Sequence, residues 1–299
     1  MTRHFLTIAV ALCTSISVFA QSDSAVAVIR MDNEPAQPVY HIKTAVDLPI
    51  ALAGTAWTLY GFSKIYGRDE IPEAKILALD KNNINKFDRP VADNYSEKAK
   101  SASDLFFYGS QPLPLVLLLD KRIRKDALRV GLLYLEAMAI TGTLYTSAAM
   151  SANRFRPYAY NPNVDMGTRT RGGAQNSFFA GHVALVGTAT FFMAKVYSDY
   201  HPEMNNKWIL YTIAGAATAT TAYLRVKAGQ HFRSDVALGA LVGTLSGILV
   251  PTIHKNRSAD PRVTISPLLG ASNGFNAVLK LNRKSAKPAL INTHSLVAR

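Results

Sequence analysis

Three short segments gather polar side chains at the edges of apolar runs: Asn153-Arg154-Phe155-Arg156-Pro157-Tyr158, Ser177-Phe178-Phe179-Ala180-Gly181-His182, and Arg225 followed by His231 and Asp235. Arginine offers a planar fork matched to two oxygens of a phosphate, so Arg156 and Arg225 are expected to clamp one phosphoryl group and neutralise its charge during transfer. His231 and Asp235 are four residues apart, the spacing that puts two side chains on one helical face. A carboxylate so placed takes the proton of one ring nitrogen and leaves the other with a lone pair for attack on phosphorus. His182 is the candidate general acid for the departing alkoxide. Arg154 adds positive charge beside Arg156, and backbone N–H groups near Gly181 can point at a phosphate.

Each residue alone has a duller reading. The arginines 154, 156, 169 and 171 suit a basic loop against headgroups, and an isolated His/Asp pair is usually structural. Their joint order and spacing carry the functional reading. His41, His201, His254 and His294 have no matching ligand cluster, so no metal is expected, and no other cofactor. A Gly-x-Ser-x-Gly elbow and a phosphate-binding Gly-Lys loop are absent, which argues against serine hydrolases and nucleotide triphosphatases. Glu136, inside an apolar run, is either functional or paired with Arg129.

These segments resemble the type 2 phosphatidic acid phosphatase family (PAP2), related to vanadium haloperoxidases and bacterial non-specific acid phosphatases. The likeness runs from about residue 105 to 253. The family's third motif, Ser-Arg, five residues, His, three residues, Asp, is matched by Arg225, His231 and Asp235, with Leu224 replacing the serine. Its second, Pro-Ser-Gly-His, appears as Phe179-Ala180-Gly181-His182. Its first, Lys, six residues, Arg-Pro, keeps Arg156-Pro157 and has Ala149 at the lysine position. The resemblance implies a helical phosphatase with His231 as nucleophile and no metal.

The elements that must position these residues follow from composition. Of 299 residues 48% are apolar and 18% charged, with 33 Lys+Arg against 20 Asp+Glu. Charge this sparse excludes a disordered chain and points to a membrane. The net charge of +13 does not choose among nucleic acid, anionic lipid and phosphorylated substrates, and the motifs favour the last. Uncharged stretches at 48–63, 105–119, 137–153, 172–194, 208–224 and 236–253 predict about six apolar helices in an all-α bundle. Gly239, Gly243 and Gly247 form a stripe for close helix packing. Residues 63–104 read as a polar loop after the first helix. Val263-Thr264-Ile265 and Ala277 to Leu281 flank Ser272-Asn273-Gly274, a signal for a small C-terminal β-hairpin.

The expected domains are a signal peptide at 1–20, a polar lead-in at 21–46, the phosphatase body at 47–253 and a basic tail at 254–299. Cys13, the one cysteine, falls in the signal segment, which removes thiol chemistry from the mature chain. Lys121, Arg122, Arg124 and Lys125 favour a cytoplasmic loop, so the site is expected to face the periplasm of a bacterial envelope. Counting 48–63 as a crossing after a cleaved signal gives the opposite side, so one of these assignments must give way. The expected activity is hydrolysis of a lipid phosphomonoester or pyrophosphate through a phosphohistidine, with the membrane as partner and no nucleic acid. The alternatives are a non-specific acid phosphatase on soluble esters and a degenerate phospholipid binder.

Overall fold

The computed structural model describes residues 38–256, 263–268 and 274–279. The expected signal segment, most of the lead-in, and Ser272 and Asn273 of the turn lie outside them. Six longer helices make the body: α1 Thr44–Tyr66, α3 Glu97–Ser110, α5 Ala127–Ala152, α7 Gly181–Tyr200, α8 Lys207–Lys227 and α9 Arg233–His254. Three helices of one turn or little more, α2 Glu73–Leu77, α4 Lys121–Arg124 and α6 Met166–Arg169, sit in the connections. Strands β1 Val263–Leu268 and β2 Gly274–Leu279 pair antiparallel, with Val263 opposite Leu279. The fold is all-α with a hairpin after the last helix.

Two apolar stretches take a form other than the expected helix. Pro112 and Pro114 have no N–H to donate, so α3 stops at Ser110 and the chain continues as a 3-10 turn at Leu113–Leu119. In 172–194 the first nine residues are irregular, with a 3-10 turn at Gly172–Gln175, and α7 begins only at Gly181. That irregular piece carries Ser177 into the site.

Helix α7 is the hub, packed against α3, α5, α8 and α9, while α1 lies along α5. The glycine stripe of α9 sits on the α7 backbone. A Cβ at Gly243 would lie 2.1 Å from the Ala184 carbonyl oxygen, and one at Gly239 2.6 Å from that of Ala180. No side chain fits there, so the stripe sets the separation of the two helices that carry His182 and Asp235.

The outer faces are apolar. Leu48, Leu52, Trp57 and Leu59 on α1, Trp208 and Ile213 on α8, and Leu241, Leu245, Leu249 and Ile253 on α9 are all exposed. Ala127–Tyr160 and Arg233–His254 contain windows long and apolar enough to cross a membrane. The basic group at 121–125 belongs to the end where α7 finishes, because Arg122 donates to the Tyr200 carbonyl at 3.2 Å. His182 and Gly181 stand at the other end of α7.

The expectation for Glu136 needs correction. Arg129 is tied to Asp126 at 2.5 Å, and Glu136 instead turns inward toward His254 and Asp47. The view that His254 lacks ligating neighbours fails with it, since Asp47 and Glu136 come from helices distant in sequence.

Candidate active site

The chain leaves α5 through Asn153, whose left-handed backbone (φ 45°) ends the helix and turns residues 154–157 inward. The Arg156 N–H bonds the Ala174 carbonyl at 2.7 Å, which docks this segment against the irregular stretch before α7. Gly181 then opens α7, and a Cβ there would meet the Tyr145 ring at 2.8 Å. Glycine thus lets the N-terminal N–H groups of α7, with their partial positive charge, face the space between the helices.

That space is a cavity of about 670 Å³ whose lining includes Arg156, Gly181, His182, Arg225 and Gln230. Arg225, only 3% exposed, donates to Ser103 Oγ and Asp104 Oδ1, each at 3.2 Å, and its Nε has no hydrogen-bond partner among the described residues. Arg156 is held by the Gly173 carbonyl at 2.9 Å and by Gln230 Oε1. His182 Nε2 lies 3.1 Å from Asp104 Oδ1, and its ring leans on Phe107. The His182 hydrogen bond is the largest influence on Asp104. Together with the Arg225 charge it holds this carboxyl below the ordinary value, against the opposing effect of burial.

His231, 1% exposed, follows the cavity-lining Gln230 in the chain and is not itself among the residues that line the cavity. Its Nδ1 is 2.6 Å from the Ser177 carbonyl oxygen. A carbonyl only accepts, so Nδ1 carries the proton and Nε2 keeps its lone pair. Burial, with Arg156 and Arg225 close by, pushes the imidazole well below its ordinary pKa and holds it neutral.

Asp235 is arranged differently from the expected dyad. His231 precedes α9, so the four-residue spacing is not a helical one. Asp235 accepts from Ser177 Oγ at 2.6 Å, the Phe232 N–H at 2.9 Å and Arg154 at 2.5 Å. The carboxylate therefore anchors the turn that holds the imidazole instead of touching the ring. Arg154 also differs from its expected phosphate-binding place. It bridges Asp235 to Asp88, at 2.7 Å, and its guanidinium stacks 4.5 Å from the Phe232 ring, so its charge is spent on the scaffold.

Residues 130–259 match the PAP2 superfamily. No curated protein matches the chain. Among solved structures, LpxE of Aquifex aeolicus is 22% identical, with 55% of this chain and 92% of that one covered and a TM-score of 0.39. A transmembrane PAP2 type phosphatidylglycerolphosphate phosphatase from Bacillus subtilis is 18% identical, with 69% and 94% covered and a TM-score of 0.43.

The departures from the PAP2 motifs have structural counterparts. Ala149 is buried among Ile65, Tyr145 and Phe179, an apolar place in which a lysine would have no partner. Positive charge reaches the cavity instead from Lys100 on α3 and Arg171 in the loop before α7. Sequence reading missed Lys100, Asp104 and Gln230. Lys100 and Asp104 sit four apart at the end of a stretch that reads as a solvated loop, and that i, i+4 spacing on one helical face was the available signal.

Proposed function

We propose that the chain is a phosphatase acting on a lipid phosphomonoester or pyrophosphate, through a phosphohistidine at His231. The observation that carries this reading is the convergence of Arg156, Arg225, Gly181 and His182 on one cavity, with Arg156 and Arg225 close to an imidazole whose Nε2 lone pair is fixed by the Ser177 carbonyl. Arg156, Arg225 and the α7 N-terminus take the non-bridging phosphoryl oxygens and offset the charge that develops on them. Nε2 of His231 forms the N–P bond as the P–O bond to the leaving group breaks, and His182 gives its proton to that alkoxide. Water then attacks phosphorus and yields its proton to His182. The N–P bond breaks, inorganic phosphate leaves and both histidines return to their starting states.

The lipid part of the reading rests on the surroundings of the cavity. Phe62, Tyr66, Phe107, Tyr108 and Leu185 share the lining with the cations, which suits a headgroup entered beside acyl chains. The exposed apolar faces of α1, α8 and α9 suit a bundle that spans the bilayer. The basic loop at 121–125 lies at the end of α7 away from the cavity, so a cytoplasmic loop puts the site on the periplasmic side. Detergent-solubilised protein is expected to release phosphate from phosphatidate or an isoprenyl pyrophosphate in the presence of chelator, with inhibition by vanadate. Turnover confined to water-soluble esters supports the acid phosphatase alternative, and binding without release across such a panel contradicts the enzyme.

A further inference from the structure

At the far end of α9 from the cavity, three side chains from three helices converge: Asp47 of α1, Glu136 of α5 and His254 of α9. We propose that they form a site for one divalent first-row transition cation, with Zn²⁺ as the reference case, which ties these three helices together. The 22 residues of α9 separate the site from the catalytic cavity by about 30 Å.

His254 Nδ1 lies 2.8 Å from the Val250 carbonyl oxygen, so Nδ1 donates there and Nε2 points away from its own helix. What Nε2 faces is two carboxylate oxygens, Asp47 Oδ2 at 3.5 Å and Glu136 Oε2 at 3.6 Å. An imidazolium N–H bonded to a carboxylate closes to about 2.7–2.9 Å, and neither distance does so. Glu136 is 6% exposed and its Oε2 has no hydrogen-bond partner among the described residues, a costly state for a carboxylate oxygen aimed into the group. Asp47 Oδ2 is met by the Lys43 backbone N–H at 2.7 Å, which orients that carboxylate without filling the space between the three atoms.

That space has the dimensions of a metal centre. The three ligand atoms lie within 4.8 Å of one another. Ligands about 2.0–2.1 Å from a tetrahedral Zn²⁺ stand about 3.3 Å apart, close to the two Nε2 to oxygen distances here. One imidazole and two carboxylates suit Zn²⁺, Mn²⁺ or Fe²⁺ better than a purely oxygen-seeking ion such as Ca²⁺. The Val250 carbonyl acts as the outer partner that fixes the histidine tautomer in metal sites. An adjoining cavity of about 500 Å³, lined by His41, Asp47 and His254 among others, gives the ion a path in. Lys255, also on that cavity, is bound to Asp199 at 2.6 Å.

The test uses the untagged full chain in detergent, stripped with chelator and then titrated with ZnCl₂ by calorimetry. One Zn²⁺ per chain is expected, with a rise in Tm. Glu136→Gln, which keeps the shape of the side chain, is expected to weaken binding at least tenfold and abolish the Tm rise, while phosphate release at the distant cavity is unchanged. Absence of binding by the wild type overturns the proposal and leaves the three groups as an ordinary imidazolium with two carboxylates. Equal binding by Glu136→Gln overturns it as well, since the ion then sits elsewhere. Should that variant fail to fold, X-ray absorption of Zn-loaded wild type decides alone: a shell of oxygens with a single imidazole is expected, and two or more imidazoles contradict the assignment.

Discussion

The backbone carbonyl of Ser177, and not the carboxylate of Asp235, receives the Nδ1 proton of His231, at 2.6 Å. Asp235 acts one bond further out, by accepting the Ser177 hydroxyl at 2.6 Å and so fixing the carbonyl that fixes the imidazole. Ser177 is therefore a positioning residue, and the effect of its loss separates this relay from a direct dyad.

Ser177→Ala keeps the carbonyl and removes its anchor. With a buried hydrogen bond to a charged group worth about 1–2 kcal/mol here, kcat is expected to fall about 5- to 30-fold with KM nearly constant. Steady-state kinetics on one phospholipid substrate checks this. An unchanged kcat would mean that the imidazole is held by other contacts.

Lys100 lines the cavity from α3 and supplies charge at a site where Ala149 has none to give. A charge-assisted phosphate contact of about 1.5–3 kcal/mol predicts that Lys100→Ala lowers kcat/KM about 10- to 100-fold. Lys100→Arg should restore much of it. Equal activity of all three proteins would remove Lys100 from the phosphate site.

Asp104 touches both His182, at 3.1 Å, and Arg225, at 3.2 Å. Burial pushes the His182 imidazole down to about 4, and the negative charge of Asp104 works against that shift in favour of a proton on His182, the group proposed to protonate the leaving alkoxide. Asp104→Asn is expected to move the alkaline limb of the kcat/KM profile to lower pH by about one unit, in addition to lowering kcat. A limb that stays in place would assign the alkaline ionisation to another group.

The depressed pKa of His231 makes stability depend on pH with a definite sign. Folded His231 stays neutral where the unfolded residue takes up a proton, so the unfolded state binds more protons and folding weakens as pH falls below about 6.5. The slope from this one group approaches about 1.4 kcal/mol per pH unit. Tm measured in detergent from pH 7.5 to 5 is expected to fall more steeply for wild type than for His231→Asn. Parallel curves would mean that the imidazole is not neutral in the fold.

Much of the bundle was legible because apolar stretches bounded by charge or proline map closely onto α1, α8 and α9, while α5 begins at Ala127, ten residues before its expected stretch. The misreadings have local causes. Hydropathy does not register that Pro112 and Pro114 end α3, or that residues 172–180 stay irregular so that Ser177 can meet His231 and Asp235. Arg156, Gly181, His182 and Arg225 were recognisable by spacing, and they share one cavity. Arg154 was misplaced because its partner Asp88 is 66 residues away, a contact that spacing does not reveal. Lys100 and Asp104 went unseen for the same reason, since only the packing of α3 on α7 and α8 brings a polar connection into the site.

The central claim is a covalent bond between phosphorus and the His231 ring, and rapid quenching with ³²P-labelled phosphatidate tests it most directly. Wild-type protein is expected to carry an alkali-stable, acid-labile label that maps to His231, and His231→Ala to carry none and release no phosphate. Label on another residue, or phosphate release by His231→Ala at the wild-type rate, would contradict the account.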